Sequence, residues 1–154
     1  MDTVFEINKP LPLWNIENIE EGALPQVSDF KGKPLIVLLF SLQCPGCIGR
    51  AIPYANRLVY ENTDKINVLG IHTHFEGPEK TLEELIEAKE QYFIRFPYYK
   101  DSGFAETFYT YEAGGTPHWI IVDKDGIVVE SIFGSDPNRA LLRIDLHLNQ
   151  LLNN

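Results

Sequence analysis

The stretch LIVLLFSLQCPGCIGRAIP, residues 35–53, decides the fold of this chain. Its first six residues, Leu35 to Phe40, are all apolar, which predicts a strand buried on both faces of a sheet. The two cysteines of the chain, Cys44 and Cys47, follow directly, and apolar side chains then recur at helical steps. The sequence therefore predicts a strand that leads through the cysteines into a helix, and Pro53 is expected to kink that helix.

Size, composition and charge fit one globular domain. The chain has 154 residues, of which 44% are hydrophobic, so it can bury a core without a metal or a disulfide. We expect a single domain over residues 1–154. The formal net charge is −9, and no cluster of Lys or Arg offers a surface for phosphates, so we expect no nucleic-acid partner.

Neither a membrane span nor an export signal is visible in the sequence. A span needs about 18 consecutive apolar residues, and the N-terminal MDTVFEINKPLPLW lacks the basic and apolar parts of a signal peptide. As written, the chain is expected to be cytoplasmic. An exported or membrane-anchored protein whose leader had been removed would show the same sequence, so the compartment stays open.

The remaining patterns predict a mixed α/β architecture. The run INVLGI, residues 66–71, is a second buried strand, and a helix between it and the first implies a parallel, right-handed crossover. Thr81 and Glu84 have the spacing of a capping box and start a helix expected over residues 82–94.

Further along the chain, residues 118–122 and 127–133 flank an Asp-Gly turn and predict an antiparallel hairpin. Asp136 followed by Pro137 predicts the start of a closing helix. We therefore expect a three-layer fold, with a mixed central sheet and helices on both faces.

The spacing of the cysteines indicates redox chemistry. If the helix begins at Cys44, its unpaired N–H groups point toward that sulfur and favour a thiolate, with Pro45 at the first helical position and donors from Gly46 and Cys47. Cys47 returns to the same helix face, within reach of a disulfide. We predict that Cys44 attacks a disulfide and that Cys47 resolves the mixed disulfide.

Other uses of two cysteines fit the sequence less well. A zinc site needs two more ligands, for which His72 and His74 are the candidates, but their one-residue gap is not the spacing of a zinc finger. An iron–sulfur cluster needs about four thiolates. We therefore expect no metal and no cofactor.

Four segments together resemble one known family: LPQVSDFKGKPLIVLLF (24–40), CPGC (44–47), FPYYKD (96–101) and GGTPHWIIVDKDG (114–126). In this order and approximate spacing they resemble thioredoxin-fold proteins of the TlpA/ResA type, within the wider thioredoxin and peroxiredoxin superfamily. The resemblance implies a thioredoxin-like fold and a thiol–disulfide oxidoreductase. It also implies that Pro117 is a cis proline opposite the cysteines and that Thr116 and Pro117 contact substrate.

Three positions depart from the family pattern. Gln43 stands where a tryptophan commonly precedes the first cysteine, Leu38 replaces the buried aspartate of many thioredoxins, and Pro53 lies one position later than the usual kink proline. The proton acceptor for Cys47 is therefore open. His72, His74 and Glu76, in the neighbourhood where this family sometimes places an acidic residue, are the candidates, with His118 as a further one.

The predicted function is dithiol–disulfide exchange with protein or small thiol substrates, and the partners are protein thiols or disulfides and a thiol electron donor or acceptor. One alternative is a peroxiredoxin-like thiol peroxidase, which Ser41 suits but Val37 does not, because a proline is expected there. Another is a metal-binding or interaction module on the same fold.

Overall fold

The computed structural model describes residues 4–75 and 77–153. The elements in this part of the chain are strands β1 (Ile16–Glu17), β2 (Leu35–Phe40), β3 (Asn67–His72), β4 (Tyr98–Asp101), β5 (His118–Val122) and β6 (Val128–Phe133), and helices α1 (Ile52–Glu61), α2 (Leu82–Gln91), α3 (Glu106–Thr110) and α4 (Ala140–Leu152). None of the helices described is long and apolar enough to cross a bilayer.

The six strands form one mixed sheet in the order β1-β4-β3-β2-β5-β6. β2 runs parallel to β3, and β3 runs parallel to β4, whereas β5 is antiparallel to both β2 and β6. Phe40 pairs with His72, so β2 and β3 end at the same edge of the sheet, where β5 begins. The predicted parallel pairing of β2 with β3 and the predicted antiparallel hairpin are confirmed.

Both faces of the central strand are buried, as its apolar run predicts. Ile36, Leu38 and Phe40 lie in the cluster that contains the apolar residues of α1 and α4. Because side chains alternate along a strand, Val37 and its neighbours point the other way, into a second cluster completed by Tyr111, after α3, and by N-terminal residues such as Leu11. The three layers and the α/β class are those predicted.

A wide π-helical turn over Cys47–Ala51 comes just before Pro53, and the kink expected at Pro53 stays a prediction. The N–H of Ile52 donates to the carbonyl of Cys47, five residues back, instead of four. Pro53 has no N–H to continue the ordinary ladder, so the wide turn accommodates it before α1 becomes regular.

Two helix ends differ from the prediction. The capping box at Thr81 and Glu84 is confirmed, but α2 ends at Gln91, because Phe93 adopts a left-handed conformation with φ 54°. The closing helix starts at Ala140, later than predicted, because the Asp136 side chain accepts the N–H of Asn138 in a separate turn.

Three short elements do not follow from the sequence patterns: β1, β4 and α3. The pattern before β4 predicts only the end of a helix, although Tyr98–Asp101 pairs with β3 on one side and with β1 on the other. β1 contains two residues, and α3 contains five, so neither has a period that a sequence pattern can show.

Candidate active site

The cysteines lie where β2 leads into the helix. The N–H of Cys44 donates to the carbonyl of Ser41 at 3.1 Å, and the carbonyl of Cys44 accepts the N–H groups of Cys47 at 3.1 Å and Ile48 at 3.2 Å. The first helical turn therefore begins immediately after Cys44, which confirms its predicted position at the helix N-terminus.

The Cys44 sulfur makes two hydrogen bonds in the structure. Its Sγ accepts the N–H of Cys47 at 3.2 Å, which is one of the two donors predicted. The thiol also donates to the carbonyl of Thr116 at 3.3 Å. Cys44 is partly exposed, so a substrate can reach the sulfur from the surface.

Cys47 differs sharply from Cys44 in its surroundings. Its side chain is 0% exposed, and this burial raises the pKa of the Cys47 thiol far above its ordinary value, with the hydrogen bond to Cys44 acting in the same direction. Neither of the two cysteines is joined in a disulfide in the structure.

The segment before β5 lies against the cysteine turn. The Thr116–Pro117 peptide bond is cis, as the resemblance implies. A Cβ placed on Gly46 would lie 3.8 Å from Pro117 Cδ and 3.0 Å from Ser135 Oγ, so glycine permits a close approach here. Ser135 is nearly buried and was not predicted, since it follows β6 without any local motif.

A hydrogen-bonded chain holds the Ser135 segment in place. The N–H of Gly134 donates to the Pro117 carbonyl at 2.8 Å, and Trp119 Nε1 donates to the Gly134 carbonyl at 2.8 Å. The ring of Trp119 packs in a T-shaped arrangement with the ring of Tyr54 from α1, and the two ring centroids are 5.5 Å apart. Three separate parts of the chain are thereby fixed around the cysteine turn.

His118, directly after Pro117, supports the same segment. Its Nδ1 accepts the N–H of Gly114 at 3.4 Å, and Nε2 therefore carries the proton that it donates to Ser131 Oγ at 2.7 Å. Burial lowers the pKa of His118 to about 4, so the ring is neutral near pH 7.

His72 lies at the end of β3, beside the loop that carries Cys44. Its Nε2 accepts the N–H of Leu42 at 3.1 Å, so the lone pair on that nitrogen is engaged. Burial, followed by the charges of His74 and Lys80, lowers the pKa of His72 to about 4. The role of His72 or half-buried His74 as proton acceptor for Cys47 stays a prediction, and Glu76 lies outside the described residues.

A cleft of about 620 Å³ opens at the Cys44 sulfur. Two aromatic side chains, Phe75 and Phe133, line it, and sequence reasoning had not selected either of them. The other described lining residues are Ser41, Gln43, Cys44, Pro45, Gly77, Gly114, Gly115 and Thr116. Within residues 4–75 and 77–153, no group of three or more His, Cys, Asp or Glu side chains is arranged to hold a metal ion.

A Cys-x-x-Cys pair at a strand-to-helix turn, opposite a cis proline that precedes an antiparallel strand, defines a thioredoxin-fold protein of the thiol–disulfide oxidoreductase class. The chain belongs to the AhpC/TSA family, whose model matches residues 7–131.

Individual relatives agree with this class. Thiol-disulfide oxidoreductase ResA of Bacillus cereus is 28% identical over 137 residues, which cover 89% of this chain and 75% of that protein. The crystal structure of a thioredoxin-like superfamily protein is similar with a TM-score of 0.83 and 29% identity, covering 95% of this chain and 97% of the other. A thiol-disulfide isomerase from Corynebacterium glutamicum gives a TM-score of 0.83 at 27% identity, with coverages of 96% and 97%.

Proposed function

We propose that Cys44 and Cys47 form a redox pair that exchanges electrons with protein disulfides. The observation that carries the proposal is the contrast between the two thiols. Cys44 is open to the cleft, whereas Cys47 is buried one helical turn away with its N–H 3.2 Å from the Cys44 sulfur. One thiol can meet a substrate, and the other can meet only its neighbour.

The first step is attack by the Cys44 thiolate on one sulfur of the substrate disulfide. The S–S bond of the substrate breaks, a mixed disulfide forms on Cys44, and the departing sulfur leaves as a thiolate that takes a proton. In the second step Cys47 loses its proton and attacks Cys44, which releases the second substrate thiol. The pair has then given two electrons and is oxidised to a disulfide.

Burial of Cys47 gives the two steps their order. Because burial raises its pKa, Cys47 stays a neutral thiol and does not compete with Cys44 for the first attack. A proton acceptor is needed only when the mixed disulfide has formed. We assign that role to the neighbourhood of His72, His74 and Glu76, without choosing among them.

Thr116 and Pro117 are proposed to contact the substrate chain. The Thr116 carbonyl lies 3.3 Å from the Cys44 sulfur, so a sulfur bonded to Cys44 must sit beside this segment. Pro45 supports the site differently, because it occupies the first helical position without leaving an unpaired N–H there. Gly46 leaves room for Ser135 to pack on the turn.

The test is a Cys47→Ser variant incubated with an oxidised peptide disulfide. We expect a mixed disulfide on Cys44 that persists, seen as a mass increase of one peptide, whereas the wild-type protein releases both peptide thiols. Absence of the adduct together with a wild type that reduces no disulfide would overturn the proposal.

Two controls separate the alternatives. A peroxiredoxin-like peroxidase predicts rapid sulfenic acid formation on Cys44 with hydrogen peroxide, and disulfide exchange predicts a slow reaction. A metal-binding module predicts one tightly bound zinc per chain with both thiols unreactive in the folded protein, and disulfide exchange predicts no stoichiometric zinc and a Cys44 thiol that reacts in the folded protein.

A further inference from the structure

The cleft beside Cys44 carries information on the substrate. Phe133, at the end of β6, is 58% exposed and lines the cleft that contains the Cys44 sulfur. Phe75 lines the same cleft. Gly114 also lines the cleft, and a Cβ placed on it would meet nothing within 4 Å. The cleft thus combines apolar side chains with open space.

Phe133 is held in position. Its ring lies against the backbone of Gly115, where a Cβ would come within 2.8 Å of Phe133 Cε1. Phe133 also pairs with His118 across the β5–β6 ladder, and the two rings lie 6.4 Å apart. The side chain is therefore presented by a strand and needs little ordering when a ligand binds.

Phe75 is held in place by a second aromatic ring. It stacks on buried Phe108 with ring centroids 4.5 Å apart and planes 7° from parallel. The Gln43 side chain donates to the Pro78 carbonyl at 2.7 Å, and a Cβ on Gly77 would overlap Gln43. Both contacts join the loop that follows Phe75 to the site.

Charge distinguishes peptide substrates from glutathione. The described lining of the cleft includes no Lys, Arg, Asp or Glu, and the whole chain has a net charge of −9. Lys80 and Lys100, near the same loop, are paired with Glu84 at 3.6 Å and Glu79 at 2.9 Å. Glutathione disulfide carries more carboxylates than ammonium groups, so this field disfavours its approach.

We infer that the substrate is an extended polypeptide disulfide with an aromatic or large aliphatic side chain next to its cysteine, which packs between Phe75 and Phe133, and that glutathione disulfide is a poor substrate. The inference rests on the proposed function, because the same Cys44 sulfur reacts. The cysteine of the substrate joins Cys44, and its neighbouring side chain is buried against the two phenylalanines, which accelerates formation of the mixed disulfide.

The test compares three disulfides: a peptide with Phe next to its cysteine, the same peptide with Ser there, and glutathione disulfide. The rate of oxidation of the reduced wild-type protein is measured with each. We expect the Phe peptide to react roughly tenfold faster than the Ser peptide, the scale for placing one apolar side chain in an apolar site, and glutathione disulfide to react more slowly than either.

Substitutions at Phe75 and Phe133 test whether these two side chains cause the preference for the Phe peptide. Phe133→Ser and Phe75→Ser are expected to reduce the tenfold ratio to about threefold or less, whereas Phe133→Leu retains most of it. Phe93→Ser is the matched control, because Phe93 is 59% exposed but does not line the cleft, and it keeps the full ratio. Circular dichroism and thermal unfolding verify that the variants are folded.

Two outcomes overturn the inference and leave disulfide exchange intact: equal rates for the Phe and Ser peptides, or glutathione disulfide reacting as fast as the Phe peptide. A ratio that is unchanged in both serine variants also overturns it. If none of the three disulfides oxidises the Cys44–Cys47 pair, the proposed function itself fails.

Discussion

Two clefts, which lie at opposite ends of the central strands β2 and β5, differ in size and in the chemistry of their lining residues. The larger, of about 740 Å³, lies at the start of β2 beside the β5–β6 turn and is lined by charged residues that include Lys65, Asp123, Lys124 and Asp125. The smaller, of about 620 Å³, contains Cys44 and two aromatic rings. Among the described lining residues, a cysteine stands only in the smaller one, so size does not locate the site.

The location of buried polar groups points to the same end of the sheet. The buried polar or charged side chains in the described part of the chain are Ser41, His72, Thr73, Asp101, Thr107, His118 and Ser135. They lie at or beyond the carboxyl ends of the parallel strands, or around the start of β5. Ligands bind at such strand ends in open α/β sheets, because the loops there are free to vary.

The largest effect on the rate of disulfide reduction is expected from Cys44→Ala. A Lys65→Ala/Lys124→Ala double variant, which changes the larger cleft, is the control. Loss of the attacking sulfur should lower the rate of peptide disulfide reduction at least roughly 1000-fold. The double variant should stay within about twofold of wild type, because its side chains are remote from the sulfur. Steady-state reduction assays measure both, and a strong loss in the double variant would contradict the assignment of the site.

Alkylation separates the two cysteines of the smaller cleft. In the reduced, folded protein at pH 8 we expect iodoacetamide to modify Cys44 at least about 100-fold faster than Cys47, because Cys47 is fully buried and burial raises its pKa. Mass spectrometry of tryptic peptides gives the two rates. In guanidinium chloride the rates should become similar; comparable rates in the folded protein contradict the proposed order of attack.

Acid should weaken the cysteine end first. His72 and His118 have pKa values lowered to about 4 by burial, below an ordinary value near 6.5. Between pH 6.5 and pH 4 the two histidines bind protons in the unfolded chain but not in the folded chain. The free energy of unfolding therefore falls as the pH drops through this range. We expect a loss of about 2 kcal/mol for each histidine between pH 7 and pH 4.5, at roughly 1.4 kcal/mol per pKa unit.

Urea unfolding at the two pH values measures this loss. The His118→Gln variant removes one titrating ring and should make the loss smaller by about 2 kcal/mol. A pH dependence identical to that of the wild type would show that His118 is not the group that titrates.

The smallest expected effect concerns the contact of Gly46 with Ser135. Gly46→Ala gains about 1 kcal/mol of helix propensity but places a Cβ 3.0 Å from Ser135 Oγ. We expect it to destabilise the wild type by about 0.5 kcal/mol and to stabilise a Ser135→Ala background by a similar amount, a coupling of about 1 kcal/mol.

Gly49→Ala is the control for that cycle, because a Cβ on Gly49 meets nothing within 4 Å. It should have the same effect in the wild type and in the Ser135→Ala background. Denaturant unfolding of the single and double variants gives the coupling free energy. Additive effects of Gly46→Ala and Ser135→Ala would mean that the Ser135 side chain moves away from the new Cβ without destabilising the protein.

Much of the framework was predictable, because it rests on local patterns. An apolar run, a capping box and an Asp-Gly turn each act within a few residues, and β2, α2 and the β5–β6 hairpin follow from them. The predicted end of α2 and the predicted start of α4 were wrong by a few residues. The left-handed conformation of Phe93 ends α2, and the turn closed by the Asp136 side chain delays the start of α4. β1 and β4 were missed, since they are short and form by pairing with strands distant in the sequence, without an internal period.

The site divides in the same way. The sequence by itself determined the spacing of Cys44 and Cys47 and their place between a buried strand and a helix, because hydrophobic period and helix geometry operate over a single turn. Only the tertiary structure decided that the Thr116 carbonyl, 72 residues away, meets the Cys44 sulfur, that Ser135 packs on Gly46, and that Phe75 and Phe133 line the same cleft. Those contacts depend on the order of strands in the sheet, which no local pattern contains.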